Sequence, residues 1–162
     1  MLKNLLIAAA GVTIATLTAP VQAATIFWSD WTSGNVIDGG FQAEGTITTN
    51  SSTVDVTYTN PQGIAFFQDG VGPEINYWQQ MGGGLDPATS AYTSDLVDNI
   101  PTGTDMIALF RAGNQTLTFS ETIANPVFSY VSLNGNGYAF DQDFEILSVG
   151  GAYGNACGYW GT

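Results

Sequence analysis

The stretch Gly45–Thr59, GTITTNSSTVDVTYT, decides the fold class of this chain. Small polar and β-branched residues alternate on both sides of a polar break at 50–52, Asn-Ser-Ser. β-Branched residues favour strands, and a polar break between two alternating runs is typical of a hairpin. The stretch therefore predicts two antiparallel strands joined by a short turn.

The same kind of pattern recurs towards the C-terminus. Apolar residues alternate with hydroxyl residues in Gln115–Ser120, which predicts a strand with one apolar face. Val127–Leu133 is apolar on both faces, as expected of a central strand. Residues 134–137, Asn-Gly-Asn-Gly, tolerate positive φ and predict a turn. We predict a further strand after it, over Tyr138–Val149.

These segments together indicate the architecture. Short strands with turn signals roughly every eight to twelve residues are typical of a β-sandwich or jelly roll. The only helical feature that we expect is one short turn that begins at Ser94 and ends before Pro101. We therefore predict an all-β fold, an antiparallel β-sandwich of jelly-roll type, as a single domain over residues 24–162. The aromatic, turn-like residues 158–162 suggest a domain that is truncated at this end.

The first 23 residues have the layout of a secretory signal peptide. Lys3 precedes an apolar run, and Val21-Gln22-Ala23 provides small residues for cleavage after Ala23. The apolar run is short, whereas a membrane-spanning helix needs ~20 predominantly apolar residues. We expect an exported protein whose mature chain has 162 − 23 = 139 residues and no stable membrane span.

The charge balance limits the partners. The sequence has 14 acidic residues, 2 basic residues and no histidine. Lys3 lies in the predicted signal peptide, so Arg111 is the one basic residue of the mature chain. The net charge of the mature chain is therefore −14 + 1 = −13. Such a surface repels nucleic acids and anionic lipid, which leaves neutral glycans, cations and basic surfaces as compatible partners. The lack of histidine excludes the usual serine and cysteine triads and His-ligated zinc.

Cys157 is the only cysteine. Secreted domains that depend on disulfides carry even sets of cysteines. We therefore expect a fold that is held by its apolar core.

Three acids, Asp141, Asp143 and Glu145, alternate along the predicted strand 138–149 and would share the face opposite its apolar residues. One interpretation is a solvated sheet face. A second is a calcium site, because calcium binds six to eight oxygens and Asn134 and Asn136 could complete its shell. Both interpretations remain open at this point.

A third interpretation of these acids is catalytic. The stretch 141–145, DQDFE, resembles the acid-x-Asp-x-Glu strand of laminarinase-like jelly-roll hydrolases. The resemblance implies Glu145 as the acid/base, with Asp141 where that family has a nucleophilic Glu. Retaining hydrolysis needs two carboxyl groups about 5–5.5 Å apart. A glycoside hydrolase is the second alternative to the non-catalytic function that we expect.

A second kind of candidate site is a platform of aromatic rings that stack on sugars. In small β domains such residues more often anchor the core or its rim, and a platform needs several coplanar rings on one face. The candidate ligand-binding residues are Trp28, Trp31, Tyr77, Trp78, Tyr159 and Trp160. They support a carbohydrate-binding module as the first alternative function.

Residues 114–151, NQTLTFSETIANPVFSYVSLNGNGYAFDQDFEILSVGG, and 157–161, CGYWG, resemble a group of secreted bacterial β-sandwich proteins. These proteins carry a C-terminal PEP-CTERM sorting tail that is read by exosortase. The Pro-Glu-Pro motif, membrane helix and basic end of that tail are not found in this sequence. The resemblance implies export to the outer surface of a Gram-negative, exopolysaccharide-producing bacterium, and it implies no catalytic residues.

The signal peptide, the charge, the β pattern and this resemblance lead to one functional expectation. We expect a secreted, non-catalytic cell-surface or extracellular-matrix protein with a structural or adhesive role. Its expected partners are extracellular polysaccharide or other surface proteins. Calcium is the candidate cofactor, and it would assist adhesion.

Overall fold

The computed structural model describes residues 22–78, 90–131 and 137–149. The predicted signal peptide, apart from its last two residues, lies outside them, as does Cys157. Six strands occur in the described part of the chain. They are β1 (Asp30–Ile37), β2 (Gly40–Thr48), β3 (Thr53–Asn60), β4 (Phe66–Gln68), β5 (Met106–Ala108) and β6 (Thr116–Phe119).

The strands form two antiparallel sheets. The larger sheet has the order β1-β2-β3-β6, and each pair of neighbours is antiparallel. Strands β4 and β5 pair as a separate two-stranded ribbon. These sheets confirm the all-β, antiparallel, sandwich-like fold that was predicted, while the jelly-roll connectivity remains a prediction.

The predicted hairpin is the centre of the larger sheet. Strands β2 and β3 pair from Phe41↔Asn60 to Thr48↔Thr53, and the polar break forms the turn between them. The Thr49 hydroxyl accepts hydrogen bonds from the backbone N–H groups of Ser51 (3.2 Å) and Ser52 (3.0 Å). A threonine side chain therefore satisfies the backbone donors that the turn leaves unpaired.

One glycine is required for the approach of β2 to the end of β3. Gly40 has a φ of 134°, and a Cβ atom at this position would lie 2.1 Å from the carbonyl oxygen of Asn60. Only glycine tolerates both this backbone conformation and this contact. The residue therefore fixes where the β1–β2 hairpin packs against the end of β3.

The core lies on one face of the larger sheet, which we call the inner face. It is built from the buried residues Trp31, Phe41, Ala43, Val56 and Tyr58. Phe67 of β4 and Ile107 of β5 pack against this cluster, so the two-stranded ribbon covers the inner face. Fully burying a large apolar side chain stabilises a fold by about 1.5–3 kcal/mol, so the buried residues of this cluster each contribute on that scale.

The prediction for the C-terminal segment is wrong in its backbone structure. Residues 127–131 and 138–149 form no strand, and 132–136, which include Asn134 and Asn136, lie outside the described residues. Aromatic rings pack together instead: Tyr130 stacks on Tyr138 with centroids 4.2 Å apart, and Phe128 contacts Phe140 at 5.2 Å. Alternation describes the two faces of one segment, and it contains no information on a backbone partner for that segment.

The predicted helical turn after Ser94 is also wrong. The backbone N–H groups of Ser94 and Val97 each donate to the carbonyl oxygen of the other residue, at 3.0 and 3.2 Å, which makes an isolated antiparallel bridge. The Ser94 side chain accepts a hydrogen bond from the N–H of Leu96 at 3.1 Å. Serine therefore closes a tight turn here, an alternative use of the same side-chain hydrogen bond that caps helices.

Candidate functional site

The outer face of the larger sheet, opposite the core, is the most regular polar surface in the described part of the chain. Every side chain that β2, β3 and β6 place on it is polar and either half-buried or exposed. These residues are Gln42, Glu44, Thr46, Thr48, Thr53, Asp55, Thr57, Thr59, Thr116 and Thr118. We call this surface the threonine face, because threonine supplies seven of the ten positions.

The threonines are in register across the strands. Thr57 lies opposite Thr118 and Thr59 lies opposite Thr116, so four hydroxyl side chains form a two-by-two array. Neighbouring strands are about 4.7–4.9 Å apart, and successive side chains on one face are roughly 6.5–7 Å apart. At the other end of the face Thr48 and Thr53 are opposite each other, with their Oγ1 atoms 3.5 Å apart.

The hydroxyl groups of the threonine face can form hydrogen bonds with a polar ligand. A threonine hydroxyl both donates and accepts hydrogen bonds, as sugar hydroxyls do. β-Branched side chains are stiff at χ1, so a ligand orders them at a small entropic cost. The threonine face therefore presents preordered, neutral hydrogen-bonding groups to a broad and flexible polar ligand.

Sequence reasoning missed this surface. The Thr-x-Thr pattern is visible at 46–48, 57–59 and 116–118. What the sequence does not show is that β6 pairs with β3, which brings the last two of these patterns side by side. The alternation identified the polar side of each strand, and only the topology joins the strands into one face.

The aromatic residues predicted to form a platform do not pack beside one another in the described part of the chain. Trp31 is only 9 % exposed and packs edge-on against Tyr58 in the core, which corrects its assignment as an exposed platform residue. Tyr77 packs on Phe66 with centroids 5.6 Å apart.

The remaining aromatic candidates form no shared platform with Trp31 and Tyr77. Trp78 meets Tyr92 edge-on at 5.4 Å. Trp28 is half-buried, and Tyr159 and Trp160 lie outside the described residues. Among the described residues, no ring contact joins two of the predicted platform residues.

The predicted acid site depended on a strand over residues 138–149, and this strand is not formed. Asp141, Asp143 and Glu145 are all exposed, in a segment without strand pairing. Among the described residues, no group of three or more His, Cys, Asp or Glu residues is arranged to hold a metal ion. The calcium site, whose other predicted ligands Asn134 and Asn136 are outside this part of the chain, therefore remains a prediction. The hydrolase alternative required a strand that fixes the spacing of Asp141 and Glu145, and the segment that carries them has no strand pairing.

Two other acids, Glu74 and Asp105, accept hydrogen bonds from groups near the ends of the strands. The Glu74 carboxylate accepts hydrogen bonds from the Thr104 hydroxyl and from the N–H of Gly70 (3.0 Å), and these bonds, led by that of Thr104, lower its pKa. Asp105 accepts from the N–H of Trp31 at 2.8 Å. Burial raises the pKa of Asp105, and the nearby negative charges of Asp30 and Glu74 add to this effect. Glu74 therefore joins the loop after β4 to the segment before β5, and Asp105 joins that segment to the start of β1.

A buried polar network closes the other end of the core. The Asn60 side chain, 1 % exposed, donates from Nδ2 to the Tyr58 hydroxyl at 3.1 Å and accepts at Oδ1 from the N–H of Gln62 at 2.9 Å. The Tyr58 hydroxyl donates to Gln115 Oε1 at 2.8 Å. Burial raises the pKa of Tyr58 to about 12, against the opposing effect of the Asn60 hydrogen bond. The network is structural, and it ties β3 to the segment that leads into β6.

Comparisons with known proteins found no match to a family model, to a curated protein or to a solved structure. Within the described ranges, no helix has the length and apolarity to cross a membrane.

Proposed function

We propose that this protein is a secreted, non-catalytic surface or matrix module that adheres to extracellular polysaccharide through its threonine face. The observation that carries the proposal is the two-by-two array of Thr57, Thr59, Thr116 and Thr118 on an accessible sheet face. The predicted signal peptide and the acidic composition are consistent with an extracellular role.

The physical support comes from the match between this face and a polysaccharide. A glycan chain is long and covered with hydroxyl groups, so a broad polar surface can bind it through many weak hydrogen bonds. Each such bond contributes about 0.5–1.5 kcal/mol, and the stiff threonine side chains limit the entropic cost. Adhesion then increases with the number of modules that contact one chain, because linked sites bind with higher avidity.

The test compares the mature wild-type protein with the double variant Thr57→Val, Thr118→Val. Valine keeps the β-branched shape and strand preference, and removes only the two opposed hydroxyls. Binding to a panel of insoluble polysaccharides is measured by co-sedimentation. We expect the variant to bind its best polysaccharide about 5- to 150-fold more weakly, which corresponds to two lost hydrogen bonds of about 0.5–1.5 kcal/mol each.

The matched control is Thr102→Val, Thr122→Val, which removes two exposed hydroxyls outside the strands. We expect its binding to equal that of the wild type. Equal binding by the Thr57/Thr118 variant would contradict the proposal, and so would failure of the wild type to bind any polysaccharide in the panel.

A further inference from the structure

The threonine face contains two acidic residues, Glu44 and Asp55, and Asp30 of the neighbouring strand β1 borders it. Asp30 and Asp55 lie opposite Thr46 from its two sides, one on β1 and the other on β3. Glu44 is the next outward residue along β2 from Thr46. All three carboxylates are exposed, and together they surround one end of the threonine array.

No basic side chain of the described residues is available to neutralise them. Arg111 is the only base in that part of the chain, and its guanidinium lies over the Phe110 ring, 4.8 Å from the centroid. Surfaces of soluble proteins ordinarily mix charges of both signs. Here one sign alone is interleaved with neutral hydroxyls, so the complementary partner carries positive charges separated by neutral hydrogen-bonding groups.

From this charge complementarity we infer that the polysaccharide recognised by the threonine face carries free amino groups, as a polymer of glucosamine does. This inference rests on the proposed function and specifies its ligand class. The sugar hydroxyls pair with the threonines, and ammonium groups on the rings pair with Asp30, Glu44 and Asp55. A hydrogen bond between an ammonium and a carboxylate is roughly twice as strong as one between neutral groups.

The spacing of the acids agrees with this ligand. Asp30 and Asp55 are separated by two strand spacings, about 9–10 Å. That distance is comparable to the length of a disaccharide unit in an extended chain, so one polymer could reach both carboxylates while its hydroxyls contact the residues between them. A basic peptide could pair its charges with the three carboxylates. It has fewer hydroxyl groups than a polysaccharide, so it would leave most of the threonine hydroxyls without hydrogen-bond partners.

The experiment uses two soluble probes of equal length, an oligomer of glucosamine and its N-acetylated counterpart, and calorimetric titration of the mature protein. We expect the glucosamine oligomer to bind about tenfold more tightly at low salt, with the difference decreasing as salt screens the charges. The variant Glu44→Gln, Asp55→Asn keeps only Asp30 of the three acids and should lose most of this preference. The control Asp38→Asn, Asp95→Asn removes the same charge from two exposed positions outside the strands, and should keep the tenfold preference. If the double variant does not fold, the exposed Asp30→Asn replaces it.

The outcomes separate this inference from the proposed function. Equal binding of both oligomers by the wild type, with no effect of Glu44→Gln, Asp55→Asn, overturns the inference and leaves polysaccharide adhesion standing. An equal loss of preference in the Asp38/Asp95 control overturns it as well, because the preference would then reflect net charge alone. Binding of poly-lysine, with no binding of either oligomer, overturns the inference in favour of a basic protein partner. The co-sedimentation panel then decides separately whether polysaccharide adhesion stands.

Discussion

Removal of one hydroxyl, in Tyr58→Phe, tests the buried polar network that closes the core. The change leaves the ring in place and deletes the group that links Asn60 Nδ2 to Gln115 Oε1. Asn60 is 1 % exposed, so water cannot replace the lost acceptor. Leaving a buried polar group unsatisfied costs about 1–3 kcal/mol. For a domain of this size we expect the melting temperature to fall by roughly 3–12 °C.

The assay is thermal and urea-induced unfolding of the mature wild type and of two tyrosine variants. The control is Tyr77→Phe, which removes the hydroxyl of a half-buried ring that packs on Phe66. We expect that control to change the free energy of unfolding by less than about 0.5 kcal/mol. If Tyr58→Phe is no more destabilising than Tyr77→Phe, the network contributes nothing and the reasoning about Asn60 is refuted.

Three further predictions concern packing, pH and metal. Gly45→Ala would place a Cβ 2.4 Å from the carbonyl oxygen of Asp30, so unfolding experiments should show a loss of about 1–3 kcal/mol, whereas Gly137→Ala, with no atom within 4 Å, should be nearly neutral. Since the pKa of Asp105 is raised above its ordinary value of 3.8, its charged form destabilises the fold at neutral pH. Asp105→Asn should therefore have a higher melting temperature than the wild type at pH 7. This difference in melting temperature should disappear as the pH falls below 3.8, the ordinary pKa of the carboxyl group. A difference that stays constant with pH would contradict the assignment. If the acids of the 141–145 segment bind calcium, millimolar calcium should raise the melting temperature by several degrees over EDTA, and Asp141→Asn, Asp143→Asn should abolish the rise; no rise would leave those acids as a solvated surface.

The parts of the fold that the sequence predicted correctly are those fixed by local patterns. The hairpin of β2 and β3 follows from alternation on both sides of a polar break, and β6 follows from the alternation in 115–120. Strand alternation has a period of two whatever the partner strand is, so these elements needed no tertiary information. The same rule failed over 138–149, where rings pack together without a paired backbone.

The candidate site depended on non-local geometry. The threonine face exists because β6 pairs with β3 in a register that places Thr118 beside Thr57, and no local pattern specifies that register. Trp31 was a plausible exposed ring by composition, but it lies opposite Gly45 on the inner face, where the absence of a side chain leaves room for it. Its burial therefore depends on a cross-strand neighbour.

The most direct test of polysaccharide adhesion by the threonine face is to map the binding site by NMR. Backbone amide shifts of the isotope-labelled mature protein are followed during titration with a soluble oligomer of the polysaccharide that binds best in co-sedimentation. We predict that the largest changes fall on β2, β3 and β6, centred on Thr57, Thr59, Thr116 and Thr118. Changes centred on the aromatic candidates Trp28, Tyr77 and Trp78, or no changes at saturating oligomer, would contradict the account.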